Sequence, residues 1–246
     1  MIKSLSIVIP FFNEAKRVNV SLKKIKKFID RSKFKKIEVN FVNDGSTDES
    51  PQIINKFIKK ENKKNIKYRL FDLGANEGKG AAVKKGVLKS NCTWILTSDI
   101  DLSVDLNQII IWERKKLIVS KHKIYFGSRE LKNSVVKSKF YRKFLGYFFR
   151  LFTLLFFGID LKDSQCGFKL YEKSVAKYIF KNLKTNGFEH DIEIVTLAKN
   201  KNFKIIELPV HWSHVSGSKL NVFFDPIKML FYITLINILI LKMKLV

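Results

Sequence analysis

Only two cysteines, Cys92 and Cys166, occur in 246 residues, too few for a disulfide framework, and no CxxC pair or Cys/His spacing suggests zinc. A reducing compartment is the expectation. Hydrophobic runs are short: the longest without a charge, Met229 to Leu241, covers 13 residues, and at ~1.5 Å per residue such a helix reaches roughly 20 Å against a hydrocarbon core of ~30 Å. It does not span a bilayer comfortably. After Met1-Ile2-Lys3 the chain enters Leu5-Ser6-Ile7-Val8-Ile9 directly, without the apolar stretch and small-residue cleavage site of an export signal. There is no internal repeat, low-complexity tract or Pro/Gly linker to mark a domain boundary. Acidic residues are scarce, 22 Asp+Glu against 47 Lys+Arg, which leaves a net charge of +25.

What is abundant is apolar surface. Hydrophobic residues make up 46% and aromatics 13%, with 22 Phe, which excludes disorder despite the charge. The length suits one sizeable α/β domain. The positive charge must sit on a folded surface, where it fits a polyanionic partner: nucleic acid, an anionic membrane, or phosphorylated small molecules.

Short β-branched runs alternate with amphipathic stretches. Leu5–Ile9, Ile37–Val42, Tyr68–Phe71, Trp94–Thr97 and Ile124–Phe126 read as strands with helices between them, a βαβ pattern that predicts a parallel sheet. Val18, Leu22, Ile25 and Ile29 keep a 4-3-4 spacing, so the first helix buries one face and leaves Lys16, Lys23, Lys24, Lys26 and Lys27 mostly in solvent. Beyond Ser128 the pattern predicts a basic, Phe-rich helix over Phe140–Phe157, a loop, a helix from about Glu189, a strand over Lys204–Val210, and an apolar C-terminal helix.

In an open α/β sheet a ligand lies beyond the carboxyl ends of the strands. There the sequence places Pro10-Phe11-Phe12-Asn13-Glu14, Asn43-Asp44-Gly45-Ser46-Thr47-Asp48 and Ser98-Asp99-Ile100-Asp101. Asn13, Ser46 and Asp105 also stand where helix N-caps belong, so capping is an alternative use for such residues. It is a weaker account of Asp99 and Asp101: two carboxylates at i, i+2 repel each other, and a divalent cation with oxygen ligands offsets that best. Gly74 to Gly80 is glycine-rich but has three residues, not four, before its Gly-Lys pair and no Ser/Thr after it, so it is not a P-loop. A dinucleotide GxGxxG after the first strand is absent too. What remains is a close approach of backbone to ligand at a helix N-terminus, with Lys79 adding charge.

Together these four segments resemble the GT-A core of family 2 glycosyltransferases. Four later motifs narrow the resemblance to the dolichyl-phosphate β-glucosyltransferase branch and its bacterial polyprenyl-phosphate relatives. They are Gly127-Ser128-Arg129, Asp163-Ser164-Gln165-Cys166-Gly167-Phe168-Lys169, Phe188-Glu189-His190-Asp191-Ile192-Glu193, and Trp212 through Lys219. The likeness runs in order from about Ser4 to Lys219. It implies a GT-A α/β fold over residues 1–219, Rossmann-like with a mixed, mostly parallel sheet, followed by a membrane-associating helix over 220–246. It further implies that Pro10, Glu14 and Asp44 cradle a nucleoside, with uridine the first candidate. Asp99 would stand beside the ribose and diphosphate, and Asp101 would bind Mg²⁺ or Mn²⁺. His214 is a further metal candidate, with a plain strand-end histidine as its alternative. Lys79, Arg129 and Lys219 would meet phosphates, and Asp163 and Gln165 would line the sugar or acceptor side, with capping of the turn after Leu161 the lesser alternative for Asp163. Asp191 stands where related enzymes acting on hydroxyls place a base. A phosphate monoester, with a second pKa of ~6, is already ionised at neutral pH and barely needs one, so orienting the sugar is an equal alternative for it.

The implied reaction is an inverting transfer of a hexose, glucose before others, from a UDP-sugar to a polyprenyl phosphate at the cytoplasmic face of a membrane. Transfer to a glycan hydroxyl is the alternative, and a membrane-surface or nucleic-acid-binding protein on a degenerate scaffold is the alternative of another class. Lys137, Lys139, Arg142, Lys143 and Arg150 interrupt a Phe- and Leu-rich stretch over 137–158, a pattern that suits a lipid interface better than a duplex groove. A buried core helix is its alternative. No nucleic-acid-binding signature is present.

Overall fold

The computed structural model describes residues 2–62, 65–137, 150–155 and 158–215. Strand and helix alternate from the start: β1 (Ser4–Phe11), α1 (Ala15–Arg31), β2 (Lys36–Asn43), α2 (Ser50–Glu61), β3 (Ile66–Asp72), α3 (Lys79–Lys89), β4 (Trp94–Thr97), α4 (Gln108–Arg114) and β5 (Ile124–Ser128). The second half adds β6 (Val135–Lys137), β7 (Lys169–Glu172), α5 (Lys173–Asn182), α6 (His190–Asn200), β8 (Ile205–Pro209) and β9 (His211–Ser213). Residues 150–155 are helical, the described part of the predicted Phe-rich helix. The rest of that helix, Lys219 and the C-terminal helix lie outside the described residues.

Seven strands form one sheet in the order β3-β2-β1-β4-β7-β5-β8. β1 pairs in parallel with both β2 and β4, and β2 with β3. β7 lies antiparallel between β4 and β5, so the sheet is mixed, mostly parallel, where the alternation of elements alone predicts a parallel one. β6 and β9 form a separate parallel pair. The central strands are near-continuous in Ile, Val and Phe because helices cover both faces. Leu5, Ile7 and Ile9 of β1 point into one apolar cluster with α1, α2 and α4, whereas Val8 points into the other with α3, α5 and α6, the period-two alternation of a strand.

Two elements stand where the sequence pattern predicts a loop. β7 has buried residues on both faces, Leu170 beside Lys169 and Tyr171, so its run does not alternate and is easily passed over. α5 buries Val175, Ala176, Ile179 and Phe180, a helical spacing that was there to be read. β7 matters for the site, because its antiparallel entry brings Gly167 and Lys169 against the end of β4.

Candidate active site

β1 and β2 end side by side, Phe11 opposite Asn43, and the loops that follow are tied to each other. Asn13 Oδ1 accepts from the amides of Thr47 at 2.7 Å and Asp48 at 3.2 Å. Ser46 Oγ accepts from the Asn13 amide at 2.9 Å. Asp48 Oδ2 accepts from the Ala15 amide at 2.9 Å, and Ser50 Oγ from Glu14 at 2.6 Å. The capping expectation for Asn13 and Ser46 is thereby corrected: neither caps its own helix, and the first amides of α1 are satisfied across the gap by the neighbouring loop. Adjacent parallel strands bring those donors closer to the other loop than sequence distance suggests. Asp105 also sits one turn early; its carboxylate accepts from Asn107 at 2.8 Å and closes the turn before α4.

Beyond this clasp opens a cleft of about 420 Å³ whose lining includes Pro10, Glu14, Arg17, Asp44, Lys79, Asp99 and Asp101, within the range of small-molecule sites. Asp44 is buried and accepts from the amides of Glu77 at 2.8 Å and Gly78 at 3.0 Å; burial pushes its pKa up against those donors. Gly78, whose amide Asp44 holds, has φ +109°, and a Cβ there would lie 2.5 Å from the Asn186 carbonyl, so the chain can pass Asn186 in this conformation only through glycine. Arg17, one turn into α1, forks onto Glu14, with Nη2 2.7 Å from Oε1. That hydrogen bond raises the Arg17 pKa, with lesser help from Asp101 and Asp99. Sequence reasoning missed Arg17, which there looks like one more solvated helix cation.

Asp99 and Asp101 follow β4 and face the same cleft. Lys79, the first residue of α3, places Nζ 2.6 Å from Asp99 Oδ1. Burial works to raise the Asp99 pKa, but Lys79 outweighs it and the net shift is downward. Asp101 goes the other way, raised by burial and then by Asp99, against a hydrogen bond from the Ser103 amide at 2.9 Å. The expected repulsion between the two carboxylates is therefore real, and Lys79 relieves one member of the pair. Gly167, just before β7, makes room for this: a Cβ there would stand 2.4 Å from Asp99 Oδ2.

For a metal ion, Asp99 and Asp101 supply carboxylate oxygens suited to Mg²⁺ or Mn²⁺, which take further oxygens from water or a diphosphate. Among the described residues no three potential ligands gather. His214 stacks on Trp212, ring centroids 6.1 Å apart, and follows Ser213, whose amide donates to Ser103 O at 2.9 Å. It thus sits near the loop that carries Asp101.

Arg129, after β5, and Asp163 meet as a forked pair: Nε to Oδ2 at 2.7 Å, Nη2 to Oδ1 at 2.8 Å, and the Arg129 amide to Oδ2 at 2.9 Å. Asp163 Oδ1 also accepts from the Gln165 amide at 3.2 Å, so it closes the local turn as well. Both residues' neighbours reach the site, since Arg129, Gln165, Asp99 and Trp212 line a small hollow beside the cleft.

Asp191 opens α6 and is buried. Its Oδ1 lies 2.5 Å from Lys169 Nζ and 3.2 Å from His190 Nε2. Lys169 is 2% exposed. Sequence reasoning gave it no role, although a lysine inside Gly167-Phe168-Lys169-Leu170-Tyr171 is a signal for a buried counter-charge, because a strand of such apolar neighbours leaves it no route to solvent.

A cleft at the carboxyl edge of a mostly parallel sheet, holding an Asp-x-Asp pair after β4 and carboxylates just after β1 and β2, is the site of a GT-A-like glycosyltransferase. Residues 6–180 match the family described as Glycosyl transferase family 2. The dolichyl-phosphate beta-glucosyltransferase of Dictyostelium discoideum is 34% identical over 234 residues, covering 92% of this chain and 71% of the relative. That of Saccharomyces cerevisiae is 33% identical over 243 residues, with the same coverage. Among solved structures, glucosyl-3-phosphoglycerate synthase from Mycobacterium tuberculosis in complex with UDP aligns with a TM-score of 0.66 at 12% identity, over 94% of this chain and 79% of that one. The same synthase with Mn²⁺, UDP and glucosyl-3-phosphoglycerate aligns at 0.64 with 11% identity, over 88% and 73%. The chain belongs to glycosyltransferase family 2 and is a glycosyltransferase of the dolichyl-phosphate β-glucosyltransferase-like kind.

Proposed function

We propose that this enzyme transfers glucose, before other hexoses, from a UDP-sugar to a polyprenyl phosphate with inversion at the anomeric carbon, on the cytoplasmic face of a membrane. The observation that carries the donor half is the Asp99–Asp101 pair facing one cleft with Glu14 and Asp44. Its shape and donors suit a nucleoside held at the β1 and β2 edge and a diphosphate reaching Asp101. Similarity to enzymes named for dolichyl phosphate and glucose supports the acceptor and the sugar.

Asp101, with Asp99 beside it and His214 as a third candidate, would hold Mg²⁺ or Mn²⁺, which when bound supplies positive charge where the departing diphosphate gains negative charge. The chain's own cations serve the same end: Lys79 lies at the cleft, and Arg129, fixed by Asp163, stands next to it. Lys219 is assigned with them to the phosphates. The acceptor phosphate, with a second pKa of ~6, arrives ionised and attacks the anomeric carbon from the face opposite the leaving diphosphate. No proton has to be removed from it. Asp163 and Gln165 are assigned to the sugar and acceptor side.

Leu151, Leu154 and Leu155 are exposed, Leu155 by 70%, on the helical residues 150–155 that Arg150 leads. Such a segment suits contact with an anionic bilayer surface. No helix among the described residues is long and apolar enough to cross a membrane. Incubating the protein with Mn²⁺, a polyprenyl phosphate and a panel of radiolabelled nucleotide sugars tests the reading. Glucose from UDP-glucose entering the organic phase is expected; label entering only a water-soluble glycan would overturn it.

A further inference from the structure

Beside the donor cleft, and sharing Lys79 and Asp99 with it, lies a second, smaller hollow that the transfer reaction leaves unexplained. A void of about 10 Å³, room for about one water, is lined by Lys79 and Asp99 on the cleft side and by Lys169, Tyr171, His190 and Asp191 on the core side. Tyr171 Oη is buried beside it with no hydrogen-bond partner among the described residues. Two ion pairs therefore face each other across a water-sized gap: Lys79–Asp99 at 2.6 Å and Lys169–Asp191 at 2.5 Å. Their signs cross. Lys169 and Asp191 are buried, so each depends on the opposite charges that line the void with it. Asp191 also sits in the first turn of α6, where the helix dipole favours an anion. It lines the inner void and not the donor cleft.

We infer that Lys169 and Asp191 are a positioning pair, a buried set of charges that keeps Asp99 and Lys79 in place when a donor diphosphate draws Lys79 off Asp99. This rests on the donor reading above. As Lys79 turns to the diphosphate, Lys169, across the void from Asp99, remains to hold that carboxylate in place. Lys79 in turn keeps Asp191 behind it as it turns to the diphosphate. The assignment moves Asp191 from proton abstraction to support, since its Oδ1 is already held by Lys169 Nζ and its side chain lines the inner void and not the donor cleft.

The test is a cycle of Lys169→Met, Asp191→Asn and the double variant, read by UDP affinity with Mn²⁺ and by kcat and KM for the donor. Each single change leaves an unmatched buried charge and is expected to weaken UDP binding by about 10-fold or more and raise the donor KM, whereas the double variant, neutral at both positions, returns UDP affinity to within about 3-fold of wild type. Asp191→Asn with unchanged UDP affinity but lost kcat, not restored by Lys169→Met, would instead make Asp191 a group that touches the reacting atoms. Wild-type affinity in all three variants would equally overturn the inference. Should the wild-type chain bind no UDP, the donor reading fails on its own terms, and the melting temperatures of the same variants still report the pair: lowered in both singles and recovered in the double if the charges are coupled, equal in all if they are not.

Discussion

Asp163 accepts two guanidinium hydrogen bonds and one amide hydrogen bond from the same residue, Arg129, so side chain and backbone of the β5 exit are fastened to one buried carboxylate. Burial opposes the charge on both partners, and each outweighs that for the other: the Arg129 pKa is raised and the Asp163 pKa lowered. Removing one charge strands the other. Asp163→Asn is expected to cost about 3 kcal/mol, a fall of roughly 10 °C in Tm. Because the folded-state pKa of Asp163 lies below its unfolded value of ~3.9, its contribution is fully present above that value and is lost as pH falls through the folded-state pKa. Calorimetry should therefore find the gap between wild type and variant constant from neutral pH down to about pH 5, and narrowing in stronger acid.

Asp101→Ala removes the cleft carboxylate that Asp99 destabilises and that, among the described residues, has no lysine paired with it in the way Asp99 has Lys79. UDP affinity in the presence of Mn²⁺ should fall by about 100-fold, the scale of losing a charge-assisted anchor, while affinity without Mn²⁺ changes little. Titration calorimetry with and without the ion separates the two; equal losses in both conditions would count against a metal at Asp101.

Gly167→Ala tests the room made for Asp99. The added methyl would lie 2.4 Å from Oδ2 and 2.7 Å from Cγ of Asp99, so the carboxylate must move. Overpacking of this kind is worth about 1–3 kcal/mol, and donor affinity should drop roughly 10-fold or more while circular dichroism shows the sheet intact. Unchanged affinity would mean that Asp99 can do its work from another position.

Leu154→Glu with Leu155→Glu places two acids on the exposed apolar face of residues 150–155. If that face enters a bilayer, co-sedimentation with anionic vesicles should fall by about 100-fold or more, since two leucines at roughly 1.5–3 kcal/mol of burial each are together worth at least about 3 kcal/mol. UDP binding in solution should not change, because the cleft is lined by other elements.

The sequence by itself determined the strands β1 to β5 and the reactive edge of the sheet. Central strands buried on both faces must be apolar throughout, and polar residues directly after β1, β2 and β4 can only fall at the carboxyl ends, so Glu14, Asp44, Asp99 and Asp101 were legible as one cluster. What only the tertiary structure decided is which charges neutralise one another. No local reading couples Lys79 to Asp99, 20 positions away, and Arg129 with Asp163 and Lys169 with Asp191 join residues 34 and 22 positions apart. The antiparallel entry of β7 between β4 and β5 set the last of these pairings. A strand inserted from far along the chain brings a lysine into the core at a place no periodicity marks, and a charge so buried is stable only where packing has already placed its opposite.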